Sequence, residues 1–277
     1  MIVTRFAPSP TGLLHLGHAF AAITAREAGE RFVVRIEDID SSRCREEFVA
    51  AIFEDLAWLG LTWEEPVMRQ SMRMAAYHSA LEKLQRDRLV YPCFCTRKDI
   101  ADEIARAVEA PQGGDGPIYP GTCRHLSDDL RRERLASGVP YALRLDVAKA
   151  MAVAGPLTFQ EQGQGPNGER GRIEVRVVGD VVLARKEVPA AYHLAVVVDD
   201  AQQNISLVTR GNDLFESTHI HRLLQRLLDL PEPRYQHHRL IVDAQGKKFS
   251  KRDGAVTLQA LRAAGATPQN LRSQLGL

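Results

Sequence analysis

The sequence predicts an α/β fold: an open parallel sheet, a smaller subdomain inserted into it, and a short helical segment after it. Three observations carry this expectation. Apolar runs of strand length alternate with stretches of helical periodicity through residues 2–86. A Pro/Gly-rich turn, Pro8 to Gly12, separates the first strand from the first helix. The carboxylates of Glu37-Asp38-Ile39-Asp40 follow directly on the second strand, and ligands of open α/β sheets bind beyond such strand ends.

Residues 2–7 read as the first strand, stopped by Pro8 and Pro10, which lack backbone donors. Residues 16–29 have helical periodicity, with small alanines for close packing. Phe32 to Ile36 is a compact apolar run of the kind found in buried parallel strands. Residues 46–59 and 71–86 read as two further helices, and Cys44 as a packing residue on a helix. The style changes near Tyr91. Residues 91–124 hold three cysteines and a Gly/Pro-rich stretch, 141–146, 173–178 and 181–183 look like strands, and 160–171 look like a polar loop. Residues 192–200, with Leu194-Ala195-Val196-Val197-Val198, return to the parallel-strand style. Residues 205–210 are a strand and 217–228 a helix. The expected division is 1–90 and 188–245 for the two halves of the sheet domain, 91–187 for the insertion, and 246–277 for a loop and the last helices.

With 36 Lys+Arg against 35 Asp+Glu, the chain is not a polybasic nucleic-acid coat. Any nucleic-acid contact must be local. Residues 124–134, with Arg131, Arg132 and Arg134, are one candidate, and a solvated helix face explains them equally well. Arg43-Cys44-Arg45, beside Asp40, is similarly open between RNA and local pairing. No apolar run approaches the roughly 18 residues of a membrane span. The N-terminus has no signal-peptide pattern. A cytoplasmic protein is expected.

Two short motifs carry the chemistry. The first is Pro8-Ser9-Pro10-Thr11-Gly12-Leu13-Leu14-His15-Leu16-Gly17-His18, a strand–turn–helix junction. Helix N-termini favour phosphate through their unpaired N–H groups. Gly17 admits close approach, and His15 and His18 can donate to phosphate oxygens as charge develops. The second is Lys247-Lys248-Phe249-Ser250-Lys251-Arg252, a basic loop between Gly246 and Gly254. The two motifs resemble the paired motifs of class I nucleotidyl-transferring enzymes, and that resemblance implies that Lys251, with Lys248 and Ser250 beside it, stabilises the α-phosphate in transfer and the leaving pyrophosphate.

These motifs, together with Arg5 to Gly12, Arg35 to Asp40, Tyr192 to Ala195 and Arg210 to Leu214, resemble the glutamyl-tRNA synthetase family, in that family's order and over nearly the whole chain. The resemblance implies a class I synthetase Rossmann-like sheet, ATP with Mg²⁺, and attack of glutamate on the α-phosphate. It matches Arg5, Phe6, Ala7, Pro8, Ser9, Glu37, Tyr192 and Arg210 to glutamate-contacting positions. Two forked guanidiniums suit two carboxylates, and Glu37 suits the ammonium. Which arginine takes which carboxylate stays open. Phe249 stands where the family has Met or Leu, and His221 where Gln is expected. Full-length members continue into an anticodon-binding domain, which is not expected here. This layout resembles the glutamyl-queuosine tRNA(Asp) synthetase branch, implying transfer to queuosine in the anticodon of tRNA(Asp). A monomer is expected. The rivals are a minimal enzyme charging a tRNA 3′ end and an inactive RNA- or glutamate-binding paralogue.

Cys93-Phe94-Cys95 and Cys123 offer three thiolates to one ion. The resemblance supplies Tyr119 as the fourth ligand of one structural Zn²⁺. By chemistry alone, His125 is the more conventional fourth ligand.

Overall fold

The computed structural model describes residues 1–106, 112–113, 116–185, 190–242 and 256–277. The chain begins β1 (Val3–Phe6), α1 (Leu16–Ala28), β2 (Arg31–Ile36), α2 (Glu46–Trp58), β3 (Glu64–Arg69) and α3 (Met74–Arg86). It continues with β4 (Val90–Cys93), α4 (Arg97–Arg106), β5 (Gln112–Gly113), β6 (Gly116–Pro117), α5 (Asp128–Ala136), β7 (Ala142–Leu145), α6 (Val147–Ala154), β8 (Thr158–Glu161), β9 (Gly171–Glu174) and β10 (Val182–Arg185). It ends α7 (Tyr192–Gln202), β11 (Leu207–Gly211), α8 (Phe215–Leu227), β12 (Arg234–His238), α9 (Leu258–Ala263) and α10 (Pro268–Leu275).

Two sheets run side by side. β1, β2 and β3 are parallel, with Arg5 opposite Val33. β11, β12 and β8 are also parallel, and β9 returns antiparallel to β8. Ser206 joins the two sheets: its N–H donates to the Val3 carbonyl (3.1 Å) and its Oγ accepts from Val3 N (2.9 Å). β1 therefore leads through α1 to one side, and β11 leads through α8 to the other. The junction between β1 and β11 is where the strand order reverses, the position at which open sheets bind ligands.

α1 lies across that junction because it is made of small residues. Ala19, Ala22 and Ala25 are fully buried, and the Ala25 carbonyl accepts from Thr4 Oγ1 (2.6 Å). β2 is buried on both faces, as its near-continuous apolar run requires. α2, α9 and α10 cover this half with Ile52, Leu56, Leu258, Leu271 and Leu275. A separate antiparallel sheet, β10-β7-β4, carries the cysteine segment.

Several expectations change. Residues 192–200 are not a strand but the first part of α7. The helix is buried on most sides, so its apolar run loses the polar face that marks a helix in sequence. Residues 160–161 are the end of β8 rather than loop, paired with β9 and, at Glu161, with Tyr235 of β12. The strand expected at 173–178 ends at Glu174. Cys44 precedes α2, with its Sγ 4.0 Å from the Glu37 carbonyl. The loop of Gly246 to Gly254, with Lys248, Ser250 and Lys251, lies outside the described residues. Thr257 bridges to His15, and Leu258 N donates to the Leu14 carbonyl (2.8 Å). Among the described residues no helix is long and apolar enough to cross a membrane.

Candidate active site

A cavity of about 450 Å³ opens at the β1/β11 junction. Arg5, Phe6, Ala7, Pro8, Ser9, His15, Gly17, His18, Glu37, Tyr192 and Arg210 all line it, so every described residue expected at the glutamate and ATP sites comes to one place. A second, larger cavity of about 1150 Å³ shares Ser9, Glu37 and Tyr192 with the first. It runs toward the cysteine segment between arginines 43, 97, 144, 176 and 185.

His15 caps α1. Its Nδ1 accepts from Gly17 N (3.1 Å), while His15 N donates to His18 Nδ1 (3.1 Å). The two rings lie 3.8 Å apart. Because each Nδ1 is an acceptor, each neutral ring carries its proton on Nε2, the form that donates onward. A helix N-terminus with two such donors is suited to phosphate oxygens.

On the other side, Arg5 is bound to its scaffold. Its Nε donates to Asp200 Oδ1 (3.1 Å) and its Nη1 to the Thr209 carbonyl (3.1 Å). Arg35, with no exposed surface, donates to the same Asp200 oxygen (2.8 Å), to Gln203 Oε1 (2.9 Å) and to Glu37 Oε1 (3.4 Å). Burial works against the Asp200 carboxylate, but Arg5 and Arg35 outweigh it and hold its pKa below the usual range. Glu37 is different. Burial raises its pKa, and Arg35 and Arg5 offset that only partly. An ammonium placed beside Glu37 would favour its charged form.

Arg210 has another kind of environment. Its Nε donates to His237 Nε2 (3.2 Å), its Nη1 to His221 Nδ1 (3.0 Å), and its Nη2 to Thr218 Oγ1. Its guanidinium lies 5.4 Å from the Tyr235 ring centroid. Among the described residues no carboxylate forms an ion pair with it. Burial, then the adjacent Arg210 charge, keeps His221 well below its ordinary pKa, and burial lowers His237. Both imidazoles are thus neutral acceptors.

In the cysteine segment, the Sγ atoms of Cys93, Cys95 and Cys123 lie within 4.8 Å of one another, with Cys95 and Cys123 3.4 Å apart. Zinc–sulfur bonds of about 2.3 Å put the sulfurs of one tetrahedron about 3.8 Å apart, so the set fits a metal ion. Tyr119 Oη stands 3.3 Å from Cys93 Sγ and 3.6 Å from Cys95 Sγ, and accepts from Cys123 N (2.9 Å). The exposed His125 instead meets Arg124 Nε at 3.4 Å. The Arg144 guanidinium sits 3.9 Å from the Tyr119 ring centroid. Despite burial, hydrogen bonding with Tyr119 and Arg144 lowers the Cys93 pKa, whereas burial pushes Cys95 up to about 12.

The candidate RNA patches form local pairs. Arg131 pairs with Asp128 (3.5 Å), Arg132 with Asp129, and Arg43 with Asp40 (2.6 Å). Sequence reasoning missed Arg35, Asp199, Asp200, Glu161 and His237 as site residues. A cation inside the apolar run Phe32–Ile36 and two carboxylates closing residues 192–200 were signals of a buried ion cluster. Glu161 and His237 gave none: residues 160–161, the end of β8, were read as loop, and nothing marked His237.

The whole chain, residues 1–277, matches the model of the family described as tRNA synthetases class I (E and Q), catalytic domain. It is 50% identical to a glutamyl-Q tRNA(Asp) synthetase of Rhodobacter capsulatus over 100% of both chains. It is 40% identical to a protein of the same name from Symbiobacterium thermophilum, over 99% of this chain and 85% of that one. Its structure is similar to a glutamate tRNA ligase of Elizabethkingia meningosepticum solved in complex with its amino acid. The TM-score is 0.71 and the identity 28%, over 91% of this chain and 52% of that one, so this chain spans about half of that ligase.

Proposed function

We propose a function from the premise that the chain belongs to the class I tRNA synthetase (E and Q) catalytic-domain family: it activates L-glutamate with ATP, without tRNA, and passes the glutamyl group to queuosine in the anticodon of tRNA(Asp). The observation that carries the activation step is the single cavity in which Arg5, Arg210 and Glu37 face the phosphate-binding end of α1. Similarity to the Rhodobacter capsulatus protein over its full length supports the acceptor.

In this reading Glu37 receives the substrate ammonium, Tyr192 packs on the side chain, and Arg5 and Arg210 take the carboxylates. The strand-to-turn residues 6–9 offer backbone to the substrate. An α-carboxylate oxygen of glutamate attacks the α-phosphorus of ATP, the bond to the β-phosphate breaks, and pyrophosphate leaves. His15 and His18 donate through Nε2 to the oxygens on which charge accumulates. The resemblance assigns further charge stabilisation to Lys248, Ser250 and Lys251, and Mg²⁺ would accompany ATP. A hydroxyl of the queuosine cyclopentene ring then attacks the activated carbonyl. An ester forms, AMP leaves, and the proton passes to solvent. No side chain is a nucleophile; the protein positions the groups and stabilises charge.

The second cavity is the path for the anticodon hairpin, because it joins the first at Glu37 and Tyr192 and is lined by arginines. Cys93, Cys95, Cys123 and Tyr119 would hold one structural Zn²⁺. With four protein ligands the ion would serve the fold rather than the reaction. We read the protein as monomeric and cytoplasmic. Glutamate-dependent exchange of labelled pyrophosphate into ATP, in the absence of tRNA, tests the first step. Exchange that appears only with tRNA would count against tRNA-independent activation.

A further inference from the structure

The two arginines of the site are held in opposite ways. Arg5 shares Asp200 with Arg35, and Arg35 also faces Glu37, so the cations on the β1 side already have carboxylate partners. The Arg210 fork is gripped by two imidazoles and a hydroxyl. A guanidinium only donates, so His221 must accept at Nδ1 and His237 at Nε2. Each ring's proton then lies on its other nitrogen. His221 Nε2 faces His193 Nδ1 at 3.1 Å, and His237 Nδ1 faces Glu161 Oε2 at 2.6 Å. Glu161 is held in turn. Its Oε1 accepts from His237 N (2.9 Å) and Gly163 N (2.8 Å). Gly163 permits that approach, since a Cβ there would come within 2.2 Å of the His237 carbonyl oxygen. The His237 ring therefore stands between the Glu161 carboxylate and Arg210.

We propose that His221 and His237 are positioning residues that set the charge selectivity of the amino-acid site: they aim the Arg210 fork while leaving its positive charge for the side-chain carboxylate of the substrate. The proposal deepens the reading above and rests on it. The assignment to the side-chain carboxylate follows from the chemistry. One of the two guanidiniums meets the reacting carboxylate, and Arg5, already paired with Asp200, draws less charge from that nucleophile than Arg210 would, which leaves Arg210 for the side chain. A carboxylate in either histidine position would neutralise Arg210 before substrate arrived, and an amide substrate would then lose less than an anionic one. Neutral acceptors avoid this. Glu161 keeps its charge one ring away, where it fixes the His237 tautomer without touching the fork.

The test is amino-acid-dependent pyrophosphate exchange by the full-length protein, with KM for L-glutamate, L-glutamine and ATP measured for each variant. His221→Glu should raise the glutamate KM on the order of 100-fold and shrink the glutamate-over-glutamine preference, while the ATP KM stays within about threefold. His237→Ala should raise the glutamate KM on the order of tenfold. His237→Gln retains a neutral acceptor and a donor for Glu161, and should recover most of that loss. The graded pair at position 237 decides the matter if His221→Glu does not fold. Glutamate KM and preference that stay at wild-type values in the folded variants would overturn the proposal. So would equal loss of glutamate and ATP affinity, which marks a merely structural role. Absence of any glutamate dependence in the wild-type protein would instead overturn the activation reading itself.

Discussion

Asp55 offers a quantitative test of how the two ends of the chain are fastened. It lies on α2, only 1% exposed, and neither carboxylate oxygen has a hydrogen-bond partner among the described residues. The nearest cation is Arg262 of α9, whose Nη2 is 3.9 Å from Asp55 Oδ1 and 3.0 Å from Glu54 Oε2. Burial raises the Asp55 pKa from 3.8 to about 6, with Arg262 opposing the rise. The folded state therefore binds more protons than the unfolded state between these values. The stabilisation from protonated Asp55 is complete below about 3.8 and is lost as pH rises through about 6. A difference of roughly two pH units corresponds to about 3 kcal/mol at neutral pH. Asp55→Asn removes the ionisation but also the attraction to Arg262. The expected gain is about 1–3 kcal/mol at pH 7.5, shrinking toward zero at pH 4. Urea unfolding from pH 4 to 8 measures it. A variant less stable than wild type at pH 7.5, or an unchanged pH dependence between 4 and 6, would show that ionised Asp55 carries no burial penalty.

Other predictions follow from single contacts. In Gly17→Ala the added Cβ would meet His15 Cε1 at 3.1 Å and Nδ1 at 3.2 Å; the ATP KM should rise about tenfold with stability kept, because alanine favours the helix, and unchanged ATP kinetics would contradict the His15 assignment. Tyr77 Oη donates to buried Asp199 (2.7 Å), which also accepts from Gln70 and Arg73. Tyr77→Phe should cost about 1.5–3 kcal/mol in urea unfolding, and a loss below about 0.5 kcal/mol would show that Asp199 does not need this donor. For the cysteine segment, metal analysis after mild chelation should find about one zinc per chain in the wild type and in His125→Ala. Cys123→Ser should hold much less, and a loss in His125→Ala equal to that in Cys123→Ser would assign the fourth ligand to His125.

The parts of the site legible in sequence were those written locally. A strand ending in Pro8-Ser9-Pro10, a helix opening at His15, and carboxylates at 37–40 each declare themselves within a dozen residues. The cysteines span 30 positions, from Cys93 to Cys123, and declared themselves by residue type rather than by local pattern. What was not legible depends on packing between distant segments. α7 read as a strand because burial on most sides removes helical periodicity. The Arg5–Asp200–Arg35 cluster joins residues 195 and 165 positions apart. The collar around Arg210 depends on β8 lying beside β12, a pairing that periodicity in either segment does not reveal. His221 was visible only as a departure from the expected Gln. Its hydrogen bond from Arg210 supplies a physical role for an acceptor at that position.

The most direct test of the account is to incubate the protein with labelled L-glutamate, ATP and tRNA(Asp) carrying queuosine, digest the product with nuclease, and find which nucleoside holds the label. Label is expected on queuosine at the wobble position and none on tRNA(Asp) that lacks it. Label on the 3′-terminal adenosine would contradict the account and make the chain a minimal aminoacylating enzyme.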